Sequence, residues 1–171
     1  MTQIARRAAY ALAALVFLAG CGAAQKPPPL STWTSANPAA KTVVLTLRAS
    51  GERSSLGAFN GYSRGQVLVV VPRGWRVAVR CLNTASTARH SCAIVKNSLS
   101  TRPAFPGAET PALLTGLTAG SSASFSFIAD RPGAYRIASL VDNDEIAGGM
   151  WDVLQVGGTR RPSVRLLRSV P

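Results

Sequence analysis

The chain has 171 residues, 47% hydrophobic and 15% charged, a balance that supports one folded domain and excludes a disordered tail. Lys and Arg number 19 against 7 Asp and Glu, for a net charge of +12, and Gly (15) and Pro (11) are frequent while aromatics are sparse, which suits a turn-rich all-β domain. A single histidine, His90, excludes a zinc site built on two or three imidazoles, and any imidazole chemistry must pass through it.

At the N-terminus, Arg6-Arg7 precede an apolar run from Ala8 to Ala19 that is too short to span a bilayer and fits the apolar region of a secretory signal. The run ends in Leu18-Ala19-Gly20-Cys21, which resembles the lipobox of bacterial lipoproteins. That resemblance implies removal of residues 1–20, acylation of Cys21, and a chain held on the extracytoplasmic or periplasmic face of a membrane. Loss of Arg6 and Arg7 would take the net charge from +12 to +10. Residues 21–39, rich in proline and small side chains, read as an extended tether.

From residue 40 to 157 the pattern is that of a β domain. Short β-rich runs at 42–48, 66–71, 76–82, 91–95, 123–128, 134–139 and 151–156 are separated by turn residues such as Asn60-Gly61, Pro72-Arg73-Gly74 and Pro132-Gly133. About seven strands at this spacing predict a β-sandwich or Greek-key barrel. With Cys21 set aside, Cys81 and Cys92 remain as a pair in an oxidising compartment. A disulfide, two buried free thiols, and a Cys92 that ligates metal beside His90 all stay open. The basic tail, residues 158–171, reads as an exposed extension or a last edge strand. No internal repeat, Walker motif, Rossmann glycine pattern, Gly-x-Ser-x-Gly or His-Glu-x-x-His occurs, so an enzyme is not expected.

Five segments in order resemble a cupredoxin of the sulfocyanin or rusticyanin type. These are Phe59-Asn-Gly-Tyr-Ser-Arg-Gly65, Val71-Pro-Arg-Gly-Trp75, Leu82 to His90, Phe127 to Tyr135, and Ala147-Gly-Gly-Met-Trp151. The resemblance implies a cupredoxin-like Greek-key β-sandwich with a copper end. Blue copper takes two imidazoles and a thiolate in a plane, with a weak thioether above it. His90 matches the family's first histidine and Met150 its axial methionine. By the family's spacing, Glu145 stands at the second histidine's position and Leu140 at the cysteine's, with Ser139 beside it. No cysteine follows Cys92. A blue copper centre is therefore not expected, because Leu140 has no donor atom and Glu145 is a hard oxygen ligand. A residual site from His90, Met150 and Glu145 that binds copper weakly remains open. So does its alternative, in which His90 is a hydrogen-bonded residue at a strand start and Met150 packs in the core.

Asp130, Asp142, Asp144, Glu145 and Asp152 fall in one late stretch, so the acids gather near the copper end, either to meet a partner or to pair with arginines such as Arg89 and Arg136. The reading is a lipid-anchored cupredoxin-like lipoprotein with an incomplete type 1 copper site, serving as a binding or assembly module. Its partners would be the membrane and an envelope redox or metal-handling protein, not nucleic acid. The alternative is a copper-binding or electron-transfer protein with an altered ligand set.

Overall fold

The computed structural model describes residues 26–52, 55–97, 100–144 and 147–167. The signal-like run, Cys21, Glu145 and the last four residues lie outside them.

The described residues form ten strands: β1 Thr34–Asn37, β2 Thr42–Ser50, β3 Ala58–Phe59, β4 Val67–Val71, β5 Arg76–Asn83, β6 Ala93–Val95, β7 Ser122–Ile128, β8 Gly133–Ala138, β9 Trp151–Val156 and β10 Ser163–Leu166. One sheet runs β1-β2-β5-β7, with β3 paired to the end of β2; the other runs β10-β4-β9-β8-β6. The β2/β5 and β4/β9 pairs are parallel and the rest antiparallel. The result is the all-β Greek-key sandwich expected from the sequence.

Alternation decides which face of each strand is buried, since successive side chains on a strand point to opposite sides. On β2, Val43, Leu45, Leu47 and Ala49 point inward, and on β5 Val77, Val79 and Cys81 do the same. They meet Val67, Val69, Val71, Ile137, Leu154 and Val156 from the second sheet. Each such fully buried aliphatic side chain contributes about 1.5–3 kcal/mol relative to exposure. Strand β4 is wholly apolar, Val67-Leu-Val-Val-Val71, and four of its five residues are buried, so most of both faces are covered.

The folded body starts earlier than residue 40, which corrects the tether boundary. Trp33 is fully buried, its carbonyl accepts the Thr46 N–H at 2.8 Å, and the polar β1 pairs along β2 from Thr34↔Leu45 to Asn37↔Thr42. A polar four-residue strand carries no periodic signal of its own; one large indole provides the burial. The basic tail likewise contributes β10, an edge strand against β4. Strand β6 begins later than the apolar run because side chains take its first amides. The Ser91 N–H donates to Ser139 Oγ (3.0 Å) and the Cys92 N–H to Thr110 Oγ1 (3.2 Å).

Cys81 and Cys92 form a disulfide that closes the β5–β6 loop, which carries His90. A loop of this length adds about 3 kcal/mol by limiting the unfolded chain. Both sheets, the disulfide and the closed core are built within residues 30–166, so this portion is a folding unit by itself. Trp33→Ala is expected to lower unfolding free energy by about 3–5 kcal/mol, measured by urea denaturation of the chain from residue 22 onward. A loss under about 1 kcal/mol would return residues 30–37 to the tether.

Candidate functional site

Three loops meet at the end of the sandwich where β2 and β5 finish. The first follows β2 and brings Gly51; the second, between β5 and β6, brings His90; the third, after β8, makes a short 3-10 turn at Val141–Asn143 and brings Asp144. His90 pairs backbone to backbone with Leu117. Gly116, at φ +70°, permits this approach: a Cβ there would lie 2.6 Å from a Val141 methyl carbon and 3.0 Å from the His90 backbone.

His90 is buried, and both of its ring nitrogens are engaged. Nδ1 lies 2.8 Å from Asp144 Oδ2 and Nε2 lies 2.9 Å from the Gly51 carbonyl oxygen. A carbonyl only accepts, so Nε2 carries a proton. Asp144 Oδ2 also accepts the Ser139 hydroxyl at 2.7 Å. Burial disfavours charge on the ring, but the Asp144 and Gly51 hydrogen bonds and the attraction of Asp144 and Glu52 outweigh it and raise the His90 pKa. The state that satisfies every atom is an imidazolium donating from both nitrogens, which has no lone pair for a metal.

The surroundings hold this arrangement in place. Ser139 Oγ accepts the Ser91 N–H, and Ser91 Oγ accepts the Leu140 N–H at 3.0 Å, so the two chain segments staple each other. Leu140 thus contributes a backbone amide to the site. The Met150 N–H donates to the Asp144 carbonyl at 2.9 Å, which places Met150 beside the loop that holds His90. The Met150 side chain is fully buried, and a Cβ on Gly57 would stand 2.7 Å from its sulfur. A cleft of about 240 Å³ opens over His90, lined by Glu52, Ala88, Arg89, His90, Asp142 and Asp144. The half-buried Glu52 carboxylate accepts the Thr87 hydroxyl and the N–H groups of residues 86–88, which lowers its pKa to about 2.

The predicted site residues fare differently. His90 and Met150 come to the same end of the fold, hydrogen-bonded and core-packed respectively, while Glu145 lies outside the described residues. Cys92 is bound to Cys81, so the reading of it as a ligand beside His90 is corrected: a disulfide sulfur is not a thiolate. Among the described residues, no group of three or more His, Cys, Asp and Glu side chains could hold a metal ion. Within the described residues, the imidazole is hydrogen-bonded through both nitrogens and the Met150 thioether packs against Gly57. Arg89 donates to the Gly116 carbonyl and Arg136 stacks 3.9 Å over the Trp151 ring. The residues missed in the sequence are Asp144 as the specific partner of His90, and Gly51 and Ser139 as its supports. The acidic run at 142–145 marked the neighbourhood but not which acid turns inward.

Asp152 is a second buried ionisable group. Its Oδ1 accepts the Val67 N–H at 2.9 Å, Oδ2 has no protein donor among the described residues, and burial raises its pKa to about 7.

The sulfocyanin (SoxE) domain model matches residues 31–161. The chain belongs to the sulfocyanin family. Membership supports a copper-binding or electron-transfer role for this fold. No curated protein matches the chain. Among solved structures, it is similar to dithionite-reduced auracyanin from Roseiflexus castenholzii, at 22% identity over 66% of this chain and 97% of that one, with a TM-score of 0.46. Reduced rusticyanin matches at 17% identity over 68% and 84%, TM-score 0.48. The copper-containing nitrite reductase from Thermus scotoductus SA-01 matches at 22% over 67% and 27%, TM-score 0.48.

These titrations set the pH dependence of stability. A raised pKa means the folded state binds the proton more tightly, so stability falls as pH rises from the unfolded value through the folded one. For Asp152 that window runs from 3.8 to about 7, and for the sulfocyanin's His90 it begins at 6.5. Asp152→Asn is expected to remove a decline approaching about 1.4 kcal/mol per pH unit within the first window. Asp144→Asn is expected to flatten the second and to cost about 1.5–3 kcal/mol at pH 6. Urea unfolding at a series of pH values reads both; unchanged slopes in the two variants would contradict these assignments.

Proposed function

We propose that this sulfocyanin-family chain is a lipid-anchored extracytoplasmic module whose copper end is closed by an ion pair, and that it serves in binding or assembly rather than in electron transfer or catalysis. The observation that carries this reading is the engagement of both His90 nitrogens by acceptors. A type 1 centre works by keeping a soft thiolate and two imidazoles nearly fixed between oxidation states. Here the thiols nearest His90 are joined to each other, and the remaining imidazole is a cation anchored by Asp144. The loop geometry instead gives a rigid polar end, with Glu52 and Asp142 at the cleft, suited to recognition by complementary charge. An envelope redox or metal-handling protein is the partner the reading favours.

Anchoring rests on Leu18-Ala19-Gly20-Cys21. Among the described residues no helix is long and apolar enough to cross a membrane. The second reading, copper binding with an altered ligand set, draws support from family membership and from the placement of His90 and Met150 at one end.

Titration of the purified chain with Cu(II), followed by its visible spectrum and by metal analysis after desalting, separates the two. No intense thiolate-to-copper band and no retained stoichiometric copper are expected. A band, or tight copper lost on His90→Ala, would overturn the closed-site reading in favour of the second. Palmitate labelling in cells tests the anchor: incorporation lost on Cys21→Ser is expected, and an unlabelled wild-type chain would overturn it.

A further inference from the structure

The outward face of the first sheet carries cations without acids. The exposed side chains of Arg48 on β2 and of Arg76 and Arg80 on β5 share this face, and register places Thr46 opposite Arg80 and Arg48 opposite Leu82. Next to them, β7 presents the exposed hydroxyls of Ser122, Ser124 and Ser126. No outward position of β2, β5 or β7 is acidic. None of the three guanidinium groups pairs with a described carboxylate, and Arg76 Nη1 donates only to Ser126 Oγ, at 3.3 Å. The two arginines of β5 stand about 13 Å apart along the strand, so the charges spread over a plane.

The N-terminal segment reaches the same face. Lys26, Pro27 and Pro28 border a cleft shared with Arg48 and Ser50 of β2, and Pro27 packs on Gly61, where a Cβ would lie 3.1 Å from the proline Cβ. Cys21 is five residues before Lys26, so the intervening chain can span at most about 18 Å. An acylated Cys21 would thus hold the arginine plane close to the headgroups. Exposed charge acts over about 8 Å at physiological salt, a distance this short tether lets the face reach. Arginine forks and serine hydroxyls suit phosphate oxygens.

We propose that the Arg48–Arg76–Arg80 face, with Lys26 at its edge, lies on anionic phospholipid headgroups and orients the anchored domain. This rests on the anchored reading only for where the tether leads. Each basic residue near an anionic surface raises partitioning about fivefold.

The test uses the unacylated chain from residue 22 onward, sedimented with phosphatidylglycerol-containing vesicles and with pure phosphatidylcholine vesicles. Binding to the anionic vesicles alone is expected, lost at high salt, and lowered roughly 100-fold by Arg48→Ser/Arg76→Ser/Arg80→Ser together. Circular dichroism checks that the variant is folded. A tail variant, Arg160→Ser/Arg161→Ser/Arg165→Ser, is expected to lose less than tenfold. The proposal is overturned by no binding to anionic vesicles, by an equal or greater loss in the tail variant, or by retention on a soluble polyphosphate without vesicle binding. Because the chain used has no acyl group, a failure here is distinct from a failure of palmitate labelling, which tests the anchor.

Discussion

The end of this sandwich is organised around an imidazolium held between a carbonyl and a carboxylate. His90 donates to Gly51 on one side and to Asp144 on the other, and the loops that supply these groups are also tied by the Glu52 carboxylate, which accepts from residues 86–88, and by the Ser91–Ser139 and Leu140–Ser91 hydrogen bonds. A buried cation is tolerated only with its charge met and its donors filled, so the ring dictates where the other two loops sit. Ser139 and Ser91 extend the arrangement by exchanging hydrogen bonds across the chain.

The same scaffold brings His90, from the β5–β6 loop, and Met150, just before β9, the two residues that match the family's ligands, to one end of the molecule. What the site does then depends on the loop between β8 and β9. With a leucine at position 140, that loop offers no thiolate and instead turns Asp144 onto the histidine, while the sulfurs of Cys81 and Cys92 brace the His90 loop from the other side. On the closed-site reading proposed above, this neutral pair stands where the family's copper would sit.

Much of the fold was legible in the sequence because its core strands alternate cleanly. The seven β-rich runs are all strands, and β9 spans the residues read for it. The strands β1 and β3 escaped because short or polar edge segments take their order from a neighbour's backbone and from single anchors such as Trp33, while β10 settles the tail on the edge strand, one of the two readings left open for it. At the site, residue types revealed what was missing, a thiolate and a second imidazole. They did not reveal what fills the space, because the His90–Asp144 contact spans 54 residues of sequence and depends on a left-handed turn at Asp142 (φ 47°) that no residue pattern announces. The disulfide was one of three open readings until geometry joined the two sulfurs.

The protonation of the His90 ring tests the central claim most directly. Nitrogen-15 NMR of the single histidine at pH 6 should show both ring nitrogens protonated, with a midpoint above 6.5 and no change on adding copper. A neutral ring at that pH, or a resonance displaced by stoichiometric copper, would contradict the account.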